Sequence, residues 1–304
     1  MADSHTELVQ RLTRPLDLIR YASSRFAAAE LHFGHGTANA LDEACALVLG
    51  ALHLPPDLPD VFLNGALSSA ETRAVLALIE RRVEEQLPVA YLLGRCWYAG
   101  QEFRVSPDTL IPRSPIFELI ENGFSPWLEL EPERVLDLCT GSGCLAILLA
   151  QAFPGVPVDG ADLSQAALDI AQSNVQRFGL SEQIELLQGD GLQACAGRRY
   201  DLIVSNPPYV PSAEYLGLPA EYKHEPRLGL ESGADGLDFV RGLLAQAAQF
   251  LNPGGLLVCE VGSAAGFLID AYPDLPFTWA EFSRGGDGVF LLSREDLASI
   301  QEES

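Results

Sequence analysis

An α/β fold is predicted, a parallel sheet with helices on both faces, preceded by a small helical domain and a hairpin. Three observations point to it. From about residue 117, short apolar runs alternate with helix-period segments. The chain's last two runs face each other across Gly285-Gly286-Asp287-Gly288, which predicts an antiparallel strand in the sheet. Up to about residue 95, by contrast, apolar residues recur at three- and four-residue spacing.

The helical domain is expected over 1–95. "LDEACALVLGALHL" and "SSAETRAVLALIERRVEEQL" carry the helical period, and "LPPDLPD" punctuates them. The second helix opens with Ser68-Ser69 and then Glu71, which predicts a capped start. The linker is expected over 96–116, where "RCWYAGQEFRVS" alternates about Ala99-Gly100 and predicts a hairpin. The α/β domain then occupies 117–304. Its strands are "RVLDLC", "PVDGAD", "IELLQ", "YDLIVSN" and "GGLLVCEV", and its helices include "GCLAILLAQAF", "SQAALDIAQSNVQRFG" and "LDFVRGLLAQAAQFL".

Composition narrows the function. The net charge is −23, and residues 101–304 hold 11 basic against 30 acidic groups. Nucleic-acid affinity comes mainly from Lys and Arg neutralising phosphates, so unassisted binding to DNA or RNA is not expected. The charge suits a basic protein partner, and equally serves solubility. No apolar run approaches the ~20 residues of a membrane span. The N-terminus has no signal-peptide core, and the six cysteines form no CxxC pair. A soluble cytoplasmic protein in a reducing compartment is expected. His32 and His35 in "HFGH" have no further ligand pair nearby, so no metal site is assigned.

The ligand can be read from three strand ends. "VLDLCTGSGCLAI" is strand, glycine turn and helix, in which Gly141 and Gly143 permit close backbone approach. It lacks both the GxGxxG frame and the lysine of a phosphate-binding loop. Asp137 before the turn is expected to favour a cationic ligand. Asp162, 21 residues after Gly141, can accept from both hydroxyls of a ribose. Asp190, in "QGDGL", falls near the expected adenine. An adenosine-bearing cation without phosphates fits all three: S-adenosylmethionine.

A fourth strand ends in Asn206-Pro207-Pro208-Tyr209. Neither proline can donate to a ladder, so the strand stops there. The Asn206 side-chain carbonyl and the Pro207 carbonyl are two stiffly held acceptors, matched to the two hydrogens of a planar NH2 group. Tyr209 would supply a flat wall beside it. Such an NH2 belongs to an amide or to adenine, and a methyl is the group to be transferred.

"LDLCTGSGCLAI", "ADLS" and "VSNPPYV" resemble the glutamine methyltransferase family, which methylates the side-chain amide of glutamine in translation proteins. The likeness runs over nearly the whole chain. The branch acting on a large-subunit ribosomal protein is the more similar one. "HGT", "HEP" (His224, Glu225, Pro226) and Pro112-Arg113-Ser114-Pro115-Ile116 favour it. The release-factor branch typically has Pro-Arg-x-x-Thr-Glu in that stretch after the hairpin. The resemblance implies a seven-stranded, Rossmann-like S-adenosylmethionine-dependent methyltransferase sheet with a reversed last strand. It implies that Cys139, Thr140, Gly141, Ser142 and Gly143 pass under the cofactor's methionine part, that Asp162 holds the ribose, that Asp190 and Gly191 lie by the adenine, and that Asn206 also borders the cofactor. The release-factor branch is often aromatic where this chain has Gly191. It further implies that Asn206, Pro207, Pro208 and Tyr209 grip the glutamine amide, that Arg113 closes the pocket, and that Glu225 and Pro226 shape its entrance. The alternatives are the release-factor enzyme and an adenine amino methyltransferase on nucleic acid. The latter must extrude a base and hold phosphates, for which this chain has few basic groups.

Overall fold

The computed structural model describes residues 5–129 and 131–302, which divide into two compact units. One is Met1–Trp97 together with Pro219–His224, and the other is Tyr98–Leu218 with Glu225–Ser304.

The first unit is helical: His5–Arg11, Pro15–Ala28, Ala40–Ala51, Ser69–Glu84 and Val89–Leu93. Ser68 Oγ accepts from the Glu71 N–H at 3.2 Å, and the Glu71 carboxylate accepts from the Ser68 N–H at 2.8 Å, so the expected capped start is a full capping box. Leu18, Phe26, Leu47, Leu76 and Ile79 form its core. Fully buried beside them is Arg82, held by Glu43 at 2.8 Å, by Glu221 at 3.4 Å and by the His32 carbonyl at 3.1 Å. Glu221 comes from the short 3-10 turn Ala220–His224. The sequence reading had kept that turn with the α/β domain, but an ion pair spanning 139 residues leaves no local signal.

The expected hairpin forms between β1 (Arg95–Tyr98) and β2 (Gln101–Arg104), turning at Ala99 and Gly100 with φ of 47° and 73°. The second unit is built on β3 (Val135–Leu138), β4 (Val158–Asp162), β5 (Ile184–Gln188), β6 (Tyr200–Ser205), β7 (Leu251–Glu260), β8 (Thr278–Trp279) and β9 (Val289–Ser293). Their order is β5-β4-β3-β6-β7-β9-β8. The first five are parallel, and β9 runs antiparallel to β7 and β8. This is the expected seven-stranded sheet with a reversed last strand. β3 is buried along its whole length, as a strand covered on both faces must be.

The order reverses at β3: the chain builds outward through β4 and β5, then returns to add β6 and β7 on the other side. Loops leaving the carboxyl ends of β3 and β6 therefore diverge and open a crevice. Leu138 pairs with Ser205, so Cys139 and Asn206 emerge side by side at its floor.

Candidate active site

A cavity of about 260 Å³ opens at this point. Its floor is the turn between β3 and the helix Cys144–Ala152. Cys139, Gly141 and Gly143 all have positive φ (64°, 54° and 78°), which is strained for Cys139 and free for the glycines. Gly143 is required twice over: a Cβ there would also sit 3.1 Å from that of Ala171.

The turn is tied down from beneath. One Asp137 oxygen accepts from Thr140 Oγ1 at 2.6 Å and from the Ala146 N–H at 2.9 Å. The residue is fully buried, and burial pushes its carboxyl up to about 7. This alters the sequence reading of Asp137 as a charge facing a cationic ligand. It braces the turn from behind and does not line the cavity. Asn174 adds a second brace, donating to the carbonyls of Ser142 and Arg104 at 2.9 Å and accepting from the Arg104 N–H at 2.8 Å. The sequence reading missed Asn174. An amide in the buried stripe of helix Gln165–Arg177 was the available signal.

Asp162 lines the wall at the end of β4. Its two oxygens accept from the N–H groups of Gly141 and Ser164, each at 2.9 Å. Burial raises its carboxyl pKa while those N–H groups oppose the shift. Each oxygen retains lone-pair capacity for a ribose hydroxyl. Asp190 and Gly191 line the same end, Gly191 with φ of 54°.

The opposite wall is Asn206, Pro208 and Tyr209, with Pro207 buried between them. Asn206 Oδ1 is buried and accepts no hydrogen bond from the described residues. An orphaned buried acceptor costs about 1–3 kcal/mol, so a donor is to be expected from whatever fills the cavity. Tyr209 gives its hydroxyl to Glu260 at 2.8 Å.

Arg113 and Pro226 also line the cavity, whereas Glu225 stands behind it. Glu225 is fully buried at its side chain and holds Arg113 in a two-pronged ion pair of 2.7 and 2.8 Å, while also accepting from the Ile111 N–H at 3.0 Å. Of the residues expected to touch ligand, Gly143, Pro207 and Glu225 are thus outside the lining set, each adjoining a residue within it. Arg113 is the one basic residue among the lining residues described. A phosphate-bearing cofactor has little to bind it here; a phosphate-free adenosine with a charged sulfur fits the carboxylates of Asp162 and Asp190. Cys139 and Cys144 also face the cavity. Burial raises both thiols, Cys144 to about 12, so neither offers a competing thiolate.

The family model "Methyltransferase small domain" matches residues 125–216. Among solved structures, the hMettl16 catalytic domain in complex with MAT2A 3'UTR hairpin 1 is 16% identical. It covers 91% of this chain and 90% of its own, with a TM-score of 0.52, which bears on the fold alone. The ribosomal protein uL3 glutamine methyltransferase of Bordetella pertussis is 49% identical over 95% of this chain and 97% of its own. That of Neisseria gonorrhoeae is 49% identical over 96% and 98%. With a strand-end amide, a braced glycine turn and a ribose-competent carboxylate around one crevice, and with identity of this extent, the chain belongs to the family of ribosomal protein uL3 glutamine methyltransferases.

Proposed function

We infer that this protein methylates the side-chain amide nitrogen of a glutamine in ribosomal protein uL3, with S-adenosylmethionine as methyl donor. The observation that carries the reading is the buried, unpartnered Oδ1 of Asn206, a residue that lines the cavity.

An amide nitrogen is a poor nucleophile because its lone pair is delocalised. Asn206 Oδ1 accepts one N–H of the substrate amide, and the Pro207 carbonyl, in a ring-stiffened segment, accepts the other. Held out of the amide plane, the nitrogen approaches tetrahedral geometry and its lone pair is aimed across the cavity. S-adenosylmethionine, when bound, supplies a methyl activated by a sulfonium. The chain's task is alignment, which supplies most of the barrier reduction. The same acceptors stabilise the positive charge that grows on nitrogen. No strong base is needed, because the nitrogen loses its extra proton readily once alkylated.

Asp162, with the Cys139–Gly143 turn, holds the ribose and methionine parts of the cofactor. Asp190 and Gly191 hold the adenine side. Tyr209 and Pro208 flank the amide, and Arg113 and Pro226 close the entrance, with Glu225 fixing Arg113. The acidic surface suits a basic protein segment in the cytoplasm, in preference to nucleic acid. Among the described residues no helix is long and apolar enough to cross a membrane.

The test is incubation of the purified protein with labelled S-adenosylmethionine and recombinant uL3, read by mass spectrometry. One methyl on one glutamine is expected. Asn206→Ala is expected to lower turnover ~100-fold or more, the scale for a positioned polar group. Its cofactor affinity should stay within ~3-fold, a shift below that of one ordinary hydrogen bond. Transfer to RNA or DNA instead, or undiminished turnover by Asn206→Ala, would overturn the reading.

A further inference from the structure

Glu260 ends β7 directly after the buried apolar run Leu256–Cys259 and is 6% exposed. It stands behind the cavity wall and uses both carboxylate oxygens. Oε1 accepts from the Tyr209 hydroxyl at 2.8 Å, and Oε2 accepts from Ser114 Oγ at 2.6 Å. Ser114 adjoins Arg113 in the chain, and its carbonyl accepts from the Tyr98 hydroxyl at 2.7 Å. Two glycines make room for Tyr209. A Cβ on Gly262 would come within 2.7 Å of the ring, and a Cβ on Gly236 would strike the Tyr209 carbonyl oxygen. Both glycines have positive φ, 43° and 80°. Tyr209 thus packs closely against both glycines, and the Glu260 carboxylate sets where its hydroxyl points.

Such confinement exceeds what a flat wall needs. The Tyr209 hydroxyl is a strong donor three residues from Asn206, whose Oδ1 is the acceptor left open. Turned toward the cavity, it would compete with the substrate amide for that acceptor.

We propose that Glu260, seated by Ser114, is a positioning residue that takes up the Tyr209 hydroxyl and so reserves Asn206 Oδ1 for the substrate amide. Nothing is transferred to or from Glu260, whose part is to accept a hydrogen bond. The proposal rests on the glutamine methyltransferase reading.

Three variants separate this from a packing role. Glu260→Leu removes both acceptors, and its turnover is expected to fall ~10–100-fold, the scale of a displaced reacting group. Its cofactor affinity should change less than ~3-fold, because Glu260 does not line the cavity. Glu260→Gln keeps an acceptor for the phenol and is expected to recover turnover to within ~3-fold of the parent. Tyr209→Phe in the Glu260→Leu background removes the competing donor and is expected to regain at least ~5-fold over Glu260→Leu alone, a coupling typical of contacting residues. Each variant is first checked for a parent-like thermal melt.

A second readout needs no turnover. In protein carrying ¹³C-labelled tyrosine, the Tyr209 ring resonance is expected to move in Glu260→Leu and to stay in Glu260→Gln. A resonance unmoved in folded Glu260→Leu, or a double variant no faster than Glu260→Leu, overturns the proposal. A parent enzyme that leaves glutamine unmodified overturns the functional reading instead, and the resonance then decides the hydroxyl bond separately.

Discussion

Arg113 and Glu225, 112 residues apart in the chain, meet through two parallel N–H···O contacts at the edge of the cavity. The Arg113 side chain is 28% exposed while that of Glu225 is fully buried. The guanidinium fork matches the carboxylate, and an ammonium cannot reproduce it. Arg113→Ala would take both N–H donors of the fork away from a buried carboxylate. A cost of about 2–4 kcal/mol is expected, at or below the usual range for breaking a buried pair because one partner is partly solvated. Denaturant unfolding measures it. Arg113→Lys should recover only part of that loss, and full recovery would mean that charge alone suffices.

Asp162 ties cofactor binding to the shape of the turn. Asp162→Ala removes the acceptor expected for the ribose and also frees the N–H of Gly141. Cofactor affinity is therefore expected to fall by about 1–3 kcal/mol, the value of a hydrogen bond to a charged acceptor. Asp162→Asn keeps one acceptor oxygen and should lose less. Isothermal calorimetry with S-adenosylmethionine distinguishes the two, and unchanged binding in Asp162→Ala would take the carboxylate out of the ribose role.

The sheet was legible because short strand-like runs alternate with helix-period segments and because glycines mark the returns. The reversed last strand followed from Gly285-Gly286-Asp287-Gly288 beside "VFLLS". Asn206 was legible because Pro-Pro leaves few other reasons to end a strand as it does. What escaped depends on contacts between distant segments. Nothing in the row of charges around Arg82 distinguishes it from exposed Arg81, though one is fully buried. Glu260 left a fainter trace, a lone carboxylate in "LLVCEV". Asp137 was legible as important but not as a brace, since sequence gives no side of the turn.

Asp137 makes stability depend on pH. Its carboxyl is held near 7 by burial, against an ordinary value of 3.8. Between these values the unfolded chain has lost the proton and the folded chain keeps it. Stability from this group is therefore full below pH 3.8, falls as pH rises toward 7, and is level beyond. The span corresponds to on the order of 4 kcal/mol if fully realised. Asp137→Asn removes the titration, so the parent's stability relative to that variant should decline from pH 4 to pH 7. Urea unfolding of both across that range checks the sign, and parallel curves would exclude a proton held at Asp137.

The Arg82 cluster decides how the chain segment after Tyr209 is anchored. Three chain crossings join the two units, at 97/98, 218/219 and 224/225. Segment 219–224, between the last two, is held in the helical unit by the pairing of Glu221 with Arg82 and by His224 at 2.9 Å from the Glu85 carbonyl. Removing a fully buried guanidinium leaves Glu43 and Glu221 facing each other without a counter-charge, so Arg82→Ala should destabilise the helical unit by about 3–5 kcal/mol. Arg82→Met fills the space but not the charge and should remain costly. Replacing all three as Arg82→Met, Glu43→Leu and Glu221→Leu should recover much of the loss, since buried ion clusters are often no more stable than apolar substitutes. Hydrogen exchange then separates stability from anchoring. In Glu221→Ala, amides of 219–224 should exchange faster while those of β3 and β6 stay protected. Uniform acceleration in both units would mean that Glu221 supports the whole fold, not the local attachment of this segment.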